Sequence, residues 1–355
     1  MHHTLNTQPV KVIGIDLAKS HCDFVCYGPN RKVCQVGSNV AYPELFDFLS
    51  NLPRATVLME ACKGSHYVAR RCADLGHDSR LVNPADVKCY RGYRHKNDLR
   101  DAEVIGALEY SPITTFVQAK TTEQQAAQLI LRAYHGRQRI RIQIGNRIHA
   151  ALEEFGAPAR KSKVFLQSAL VEHLENNREK FPQLAYEELI DLRDDWLDAW
   201  EREQKSLRRI NAIATQNPVT RLLMTIPGIG PITSLALLVH TGAPQRFKNS
   251  RQFAASIGLV PQQYSTGGKD TLLHITKRGS KKLRSLLVEA AGTFLVKRER
   301  QANDPLGRWI LKLIGSGKKY GVQACAIAAK LARIAWSMMM TNTEYGKAKC
   351  QATVE

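Results

Sequence analysis

Two apolar runs near the start of the chain each end on a carboxylate, and this pattern constrains the fold more than any other feature. The run 12–15 is followed by Asp16, and the run 57–59 is followed by Glu60. Short apolar runs bounded by turn residues are typical of buried strands. An unpaired carboxylate buried there costs several kcal/mol, so each acid needs a partner or must cap a turn. For Asp16 both explanations stay open, because the turn at Lys19–Ser20 follows directly.

Strand and helix signals alternate over the first 110 residues. The predicted elements are a strand over 12–16, a hairpin of 21–27 and 32–36 with its turn at Gly28–Asn30, helices over 43–52 and 66–75, strands over 55–62 and 78–82, and a helix from Asn97 to Tyr110. A strand, a hairpin and then alternating helices and strands favour an α/β domain with a mixed sheet.

The rest of the chain reads as mainly helical. Residues 121–215 carry heptad-like apolar spacing, such as Leu189 followed by Trp196, which fits either a dimerising coiled coil or an ordinary packed helical linker. We therefore predict three domains, namely an α/β domain over 1–118, a long helical, coiled-coil-like middle over 119–217, and a mainly α-helical domain over 218–355.

The charge balance predicts a polyanionic partner. Lys and Arg total 51 against 32 Asp and Glu, a net charge of +19. Such a surplus favours nucleic acid first and an anionic membrane surface second, with a merely solvated basic surface as the alternative. No stretch approaches the roughly 20 apolar residues of a membrane span, and the start shows no signal sequence. We expect a cytoplasmic protein of a bacterium that does not bind membranes.

The cysteines do not follow a metal-binding or disulfide pattern. There are eight of them, and none forms a C-x-x-C pair. Several fall within apolar runs, which predicts small buried hydrophobic residues in a reducing compartment.

Two further acids complete a possible metal site. Asp98 and Asp101 lie three apart and therefore on one face of the predicted helix. A D-x-x-D pair alone is usually a solvated face, but here it follows two carboxylates at strand ends. Crowded carboxylates repel unless a cation neutralises them, and Mg²⁺ (or Mn²⁺) prefers oxygen ligands. Two such ions about 4 Å apart can hold the entering and leaving oxygens of a phosphodiester.

The motifs that carry these acids resemble a known family. "GIDLAK", "MEACKGSH", "LVNP" and "KNDLRDAEVI", with "LLMTIPGIGPITSLALL", "FAASIGLVPQQYSTGGK" and "ITKRGSKKLRSLL", are similar to those of the IS-one-ten family of insertion-sequence transposases, relatives of the Piv DNA invertase. "STGGK" is closest to the IS-eleven-eleven branch. The resemblance covers nearly the whole chain and implies a RuvC-like, RNase H-type α/β domain. Its D-E-D-D set of metal-binding catalytic acids would be Asp16, Glu60, Asp98 and Asp101.

The resemblance also implies a nucleophilic serine in the C-terminal domain. The candidate stretch is 264–269, and we choose Ser265 over Thr266 because a primary hydroxyl is less hindered. Without the family, a polar turn free of chemistry explains this stretch. The family further implies a site composed of the serine and the acids, a homodimer or homotetramer, and guidance by a structured noncoding RNA.

Several residues are candidates for nucleic-acid binding. Gly228 and Gly230 separate two apolar helical runs, which fits either a helix-hairpin-helix that brings backbone N–H groups to a phosphate or a plain tight turn. The basic candidates fall in one helix of the middle region and in the C-terminal region: Arg137, Arg139, Arg141, Lys269, Lys277, Arg278, Lys281, Lys282 and Arg284. Rows of basic residues with few acids nearby suit a phosphate backbone.

These features together predict a DNA recombinase that acts on element ends and a target and associates with the nucleoid when active. The alternatives are a hydrolytic Holliday-junction-type nuclease that uses the acids and water, a non-catalytic nucleic-acid-binding protein, and a sugar-kinase- or actin-like ATPase. The ATPase would need glycine-rich phosphate loops, which residues 30–110 do not show convincingly.

Overall fold

The computed structural model describes residues 9–91, 98–112, 114, 116–266, 269–296 and 305–346. The chain divides into two compact units, Met1–Glu123 and Gln124–Glu355. The division into three domains stays a prediction.

The first unit is built on a six-stranded mixed sheet. Its strands are β1 (Val12–Leu17), β2 (His21–Tyr27), β3 (Val33–Ala41), β4 (Thr56–Glu60), β5 (Asp78–Val82) and β6 (Phe116–Val117). Their order across the sheet is β3-β2-β1-β4-β5-β6. β1, β4 and β5 run parallel, whereas β2, β3 and β6 each pair antiparallel with their neighbours. The expected α/β domain with a mixed sheet is confirmed.

Helices cover both faces of this sheet. They are α1 (Tyr42–Ser50), α2 (Ser65–Asp74), α3 (Pro84–Arg91) and α4 (Asp98–Ala107). Since side chains alternate along a strand, Ile13 and Ile15 pack in the cluster that includes α1 and α2. Val12 and Leu58 pack in the cluster with α3 and α4. Burial on both faces explains why these strands read as continuous apolar runs.

The second unit is mainly helical. Its helices are α5 (Thr122–Glu154), α6 (Leu170–Glu175), α7 (Gln183–Gln216), α8 (Pro218–Met224), α9 (Pro231–Thr241), α10 (Ser250–Ile257), α11 (Lys281–Val296), α12 (Pro305–Gly315) and α13 (Tyr320–Thr341). A π-helical turn over Phe165–Ala169 leads into α6. In the described part of this unit an antiparallel hairpin, β7 (Pro261–Thr266) and β8 (Lys269–Ile275), interrupts the helices. Among the helices of the described ranges, none is long and apolar enough to cross a bilayer.

The apolar stripe of α7 packs within the chain. Leu189 and Trp196 are almost fully buried in a cluster with Ile148 and Leu152 of α5. Gly145 of α5 gives Trp196 room, because a Cβ there would lie 3.2 Å from the indole nitrogen. For this stripe the structure favours the packed helical pair over an exposed coiled-coil seam.

The prediction for the cysteines is only partly right. Cys22, Cys26 and Cys72 are buried, but Cys62 and Cys89 are exposed. None of the seven cysteines that the structure describes is in a disulfide.

Candidate functional site

Three of the four predicted acids converge in the first unit. Asp16 is the penultimate residue of β1, and Asp98 and Asp101 lie in the first turn of α4. One carboxylate oxygen from each lies within 4.8 Å of those of the other two. Asp101 is 2% exposed, Asp16 is half-buried and Asp98 is exposed. One acid is therefore withdrawn from water while another stays accessible from outside.

Side chains of β1 point alternately to the two faces of the sheet, which explains why Asp16 lies on the face that α4 covers. Val12 packs in the same cluster as Ala102 and Ile105 of α4. Since every second side chain of a strand shares a face, Asp16 points to the same face as Val12. The strand supplies one carboxylate and the helix start supplies two.

Glu60 is the last residue of the neighbouring strand β4 and lies outside this group of three. Parallel pairing of β1 with β4 places Ile15 beside Met59, and the next residues along the two strands are Asp16 and Glu60. Although Cys62 as a whole residue is exposed, partial desolvation of its sulfur and then the charges of Glu60 and Asp16 raise the pKa of its thiol. Both carboxylates are therefore near one sulfur, but only Asp16 is in the mutual 4.8 Å group.

A further acid at this edge is missing from the sequence prediction. Asp23 on β2 pairs directly with Asp16 on β1. Its carboxylate accepts hydrogen bonds from the Asn39 amide, at 3.1 Å, and from the Ser38 hydroxyl. Asp23 lies within the predicted strand 21–27, but the sequence did not predict that this strand pairs with β1, so the register that sets Asp23 opposite Asp16 comes from the structure. These hydrogen bonds indicate that the Asp23 carboxylate helps to hold β3 against β2.

The donor set fits a hard divalent cation. Three carboxylates this close repel one another, and an oxygen-binding cation removes that repulsion. Carboxylate oxygens suit Mg²⁺ or Mn²⁺, and among the residues that the structure describes the group includes no nitrogen or sulfur ligand.

The candidate nucleophile lies in the second unit. In the β7–β8 hairpin the backbone of Ser265 pairs with Asp270, and that of Thr266 pairs with Lys269. The side chains of Ser265, Thr266 and Lys269 lie outside what the structure describes, as do residues 267–268. The expected polar turn is therefore the end of a hairpin.

The three arginines of α5 that were predicted to bind nucleic acid differ in their surroundings. Arg139 is exposed. Arg137 is half-buried and donates to the Ser206 hydroxyl and, at 3.4 Å, to the Arg202 carbonyl. The prediction for Arg141 is wrong, because this residue is 5% exposed and forms an ion pair with Glu203 of α7, which is 3% exposed. The helix pair buries its guanidinium, so it is not available to a phosphate.

The basic segment before α11 has a defined backbone. Lys277 adopts a left-handed conformation with φ 55°, and its amide donates to the Gly258 carbonyl at 3.2 Å. Arg284 is half-buried and donates to the carbonyls of Ile257, at 2.7 Å, and Arg278, at 3.1 Å. Arg284 thus holds the segment in place. The exposed cations that it presents are Lys277, Arg278, Lys281 and Lys282.

One exposed cation also acts on a neighbouring histidine. Burial and then the charge of Lys282 lower the pKa of His135 on α5 to about 4. His135 is therefore neutral at physiological pH, and Lys282 lies close to α5.

The two glycines form the turn between α8 and α9. Gly228 has φ 81°, and a Cβ there would lie 3.1–3.3 Å from Phe294, Thr293 and the Ala290 carbonyl of α11. Gly230 is exposed, precedes α9 and has nothing within 4 Å of a Cβ position. A helical hairpin is present, with Gly228 packed against α11 and Gly230 open to solvent.

Comparison with known proteins identifies the family. The profile of the family described as "Transposase IS116/IS110/IS902 family" matches residues 220–305, from α8 to the start of α12. The transposase for insertion sequence element IS1328 of Yersinia enterocolitica is 34% identical over 338 residues, covering 95% of this chain and 99% of the relative. The transposase for insertion sequence element IS1111A of Coxiella burnetii is 31% identical over 345 residues, covering 95% and 91%.

A more distant relative has a different description. The pilin gene-inverting protein of Moraxella bovis is 24% identical over 354 residues, covering 94% of this chain and 97% of the relative. The resemblance read from the sequence motifs is confirmed at the level of the family, and the chain belongs to the IS116/IS110/IS902 family of transposases.

Proposed function

We propose that this chain is a metal-dependent DNA recombinase that cuts and rejoins the ends of an insertion sequence and its target. The observation that carries the proposal is the convergence of Asp16, Asp98 and Asp101 within 4.8 Å. Glu60, at the neighbouring strand end, is the fourth acid of the D-E-D-D set. The likeness to pilin gene-inverting proteins supports rejoining over cutting alone.

We further propose that the first unit is a RuvC-like, RNase H-type domain. Support comes from the strand order β3-β2-β1-β4-β5, from the parallel β1, β4 and β5, and from carboxylates at the ends of β1 and β4. In open α/β sheets, ligands bind beyond the carboxyl ends of the strands. The carboxylates of Asp16 and Glu60, at the carboxyl ends of β1 and β4, support a site at that position.

Asp16, Asp98 and Asp101 would hold Mg²⁺ or Mn²⁺, with Glu60 as a further ligand. When bound, the cation supplies positive charge that stabilises the developing charge on the phosphate oxygens. Asp101 is fixed by burial, and the exposed Asp98 is the carboxylate most accessible to an arriving substrate.

Ser265 is the proposed nucleophile. Its hydroxyl would lose a proton while its oxygen bonds to phosphorus. The bond from phosphorus to the bridging oxygen of the neighbouring nucleotide breaks, and that oxygen takes up a proton. The protein–DNA phosphodiester conserves the bond energy, so attack by a DNA hydroxyl can reseal the strand without ATP.

The exposed cations Lys277, Arg278, Lys281 and Lys282 are the proposed phosphate contacts, together with Arg139, Lys269 and the backbone at Gly230. The net charge of +19 supports this proposal. A noncoding guide RNA and assembly into a homodimer or homotetramer belong to the same proposal and rest on the family resemblance.

The test is to trap the covalent intermediate. The protein is incubated with Mg²⁺, element-end DNA and RNA transcribed from the element's flank, then denatured and examined for DNA attached to protein. The Ser265→Ala and Thr266→Ala variants run alongside, and we expect an adduct that only Ser265→Ala abolishes. Loss in Thr266→Ala alone would move the nucleophile by one residue. Nicked DNA without an adduct in any sample would instead identify a hydrolytic nuclease.

A further inference from the structure

The contact between α4 and β1 is unusually close at one point. Gly14, two residues before Asp16, lies against the backbone of α4. A Cβ on Gly14 would fall closer than 3.0 Å to the Ala102 carbonyl oxygen and to the amide nitrogen of Gly106. Because these are backbone atoms, no side-chain rotation can relieve the overlap, and only movement of the whole helix would make room.

The other side of the contact is a second glycine. A Cβ on Gly106 would lie 2.5 Å from the ring of Tyr27 on β2. That ring cannot turn aside freely, since the Tyr27 hydroxyl donates to the Glu103 carbonyl of α4 at 2.9 Å. Gly14, Gly106 and Tyr27 therefore define how closely the helix approaches the strand.

From this geometry we infer that Gly14, Gly106 and Tyr27 are positioning residues that set the distance between Asp16 and the pair Asp98 and Asp101. Gly14 shares its sheet face with Asp16, and Gly106 is the penultimate residue of the helix that begins at Asp98. The inference rests on the proposed metal-dependent function. Gly14 and Gly106 offer no ligand atom to the cation. Their contact nevertheless determines whether the three carboxylates lie close enough to share one cation.

Cation geometry makes this distance critical. Mg²⁺ demands near-ideal octahedral geometry with oxygens at about 2.0–2.1 Å. A misplacement of about 1 Å in a catalytic group can cost roughly 10²-fold in rate. Moving α4 outward until a methyl group fits is a displacement of that order, and it carries Asp98 and Asp101 away from Asp16.

A matched control lies on the opposite face of the sheet. Gly37 on β3 is equally tight, since a Cβ there would fall closer than 3.0 Å to the ring of the buried Phe24. Phe24 packs in the cluster with α1 and α2, away from α4. Gly37→Ala therefore introduces an overlap at a similar distance into the same sheet, with a buried side-chain ring in place of backbone, without moving the helix that carries the two aspartates.

The experiment measures Mn²⁺ binding to the full chain by the loss of the free-ion electron paramagnetic resonance signal, with thermal unfolding measured in chelator. We expect Gly14→Ala to weaken Mn²⁺ binding at least tenfold, and Gly37→Ala to lower the Tm but leave the affinity within twofold of the parent. Gly14→Ala binding Mn²⁺ as tightly as the parent would overturn the inference.

Gly106→Ala provides a second route if Gly14→Ala fails to fold. It should weaken Mn²⁺ binding, and adding Tyr27→Leu should restore at least half of the loss because the smaller side chain makes room for the methyl group. Failure of the double variant to bind more tightly than Gly106→Ala would contradict the positioning role. Asp16→Asn separates the two proposals: if neither it nor the glycine variants alter binding, the metal site fails as well, whereas loss in Asp16→Asn alone overturns only the glycine contact.

Discussion

The acid site of the first unit and the basic surface of the second use charge in opposite ways. The three aspartates lie within 4.8 Å of one another, and one of them is almost fully buried. The cations at 277–282 are exposed and spread along a loop and a helix start. Ligation acts over a bond length, whereas attraction to a phosphate backbone acts over about 10 Å at ordinary salt. The acids should therefore be individually indispensable and the exposed cations individually replaceable.

Arg141 shows that this contrast follows burial rather than the type of residue. It is a cation of the second unit, but it is almost as buried as Asp101 and has one specific partner, Glu203. Its removal should affect folding, whereas removal of a surface lysine should affect only binding.

The largest expected effect is at Asp16. Asp16→Asn should lower strand cleavage by about 10³-fold or more, because ligation of a catalytic metal supplies several kcal/mol of transition-state stabilisation. Binding of element-end DNA should change little. The matched control is Asp23→Asn, since Asp23 pairs with Asp16 but bonds to β3. Equal losses in both variants, measured with end-labelled DNA, would show that the three aspartates are not a distinct site.

Arg141→Ala should have the next largest effect, and on stability. Breaking a buried ion pair leaves the partner's charge unpaired and costs about 3–5 kcal/mol in the free energy of unfolding. Its exposed neighbour gives the control, since Arg139→Ala should cost less than about 0.5 kcal/mol. Urea unfolding measures both values. A stable Arg141→Ala protein with weakened DNA binding would restore this residue to the nucleic-acid surface.

The smallest effect is expected at the surface lysines. Lys281→Ala combined with Lys282→Ala should weaken DNA binding and reduce the slope of log affinity against log salt by about 1 for each phosphate that the variant no longer neutralises. Cleavage at saturating DNA should be nearly unchanged. Titrations at several salt concentrations provide the measurement, and an unaltered slope would remove these lysines from the interface.

Much of the first unit was predictable because its signals are local. The strands at 12–16, 55–62 and 78–82 correspond to β1, β4 and β5, and the helices at 43–52 and 66–75 correspond to α1 and α2. The predictions missed α3 and β6, which are short, and assigned no strand to β7 or β8, where a polar turn was considered only for 264–269. The apolar residues of that hairpin, such as Leu272, are exposed, so no alternation of buried and exposed positions marked its strands.

The sequence by itself determined the family, the order of the acids and the positions of most strands and helices, since these depend on neighbouring residues and on motifs. Only the tertiary structure decided which charged residues have partners. Arg139 and Arg141 look equivalent in the sequence, yet one is exposed and the other meets an acid 62 residues away. In the same way, the convergence of Asp16 with Asp98 and Asp101 depends on a helix packing against a strand more than 80 residues earlier in the chain. Burial and short-range ligation are set by contacts between distant segments, and these contacts exist only once the chain has folded.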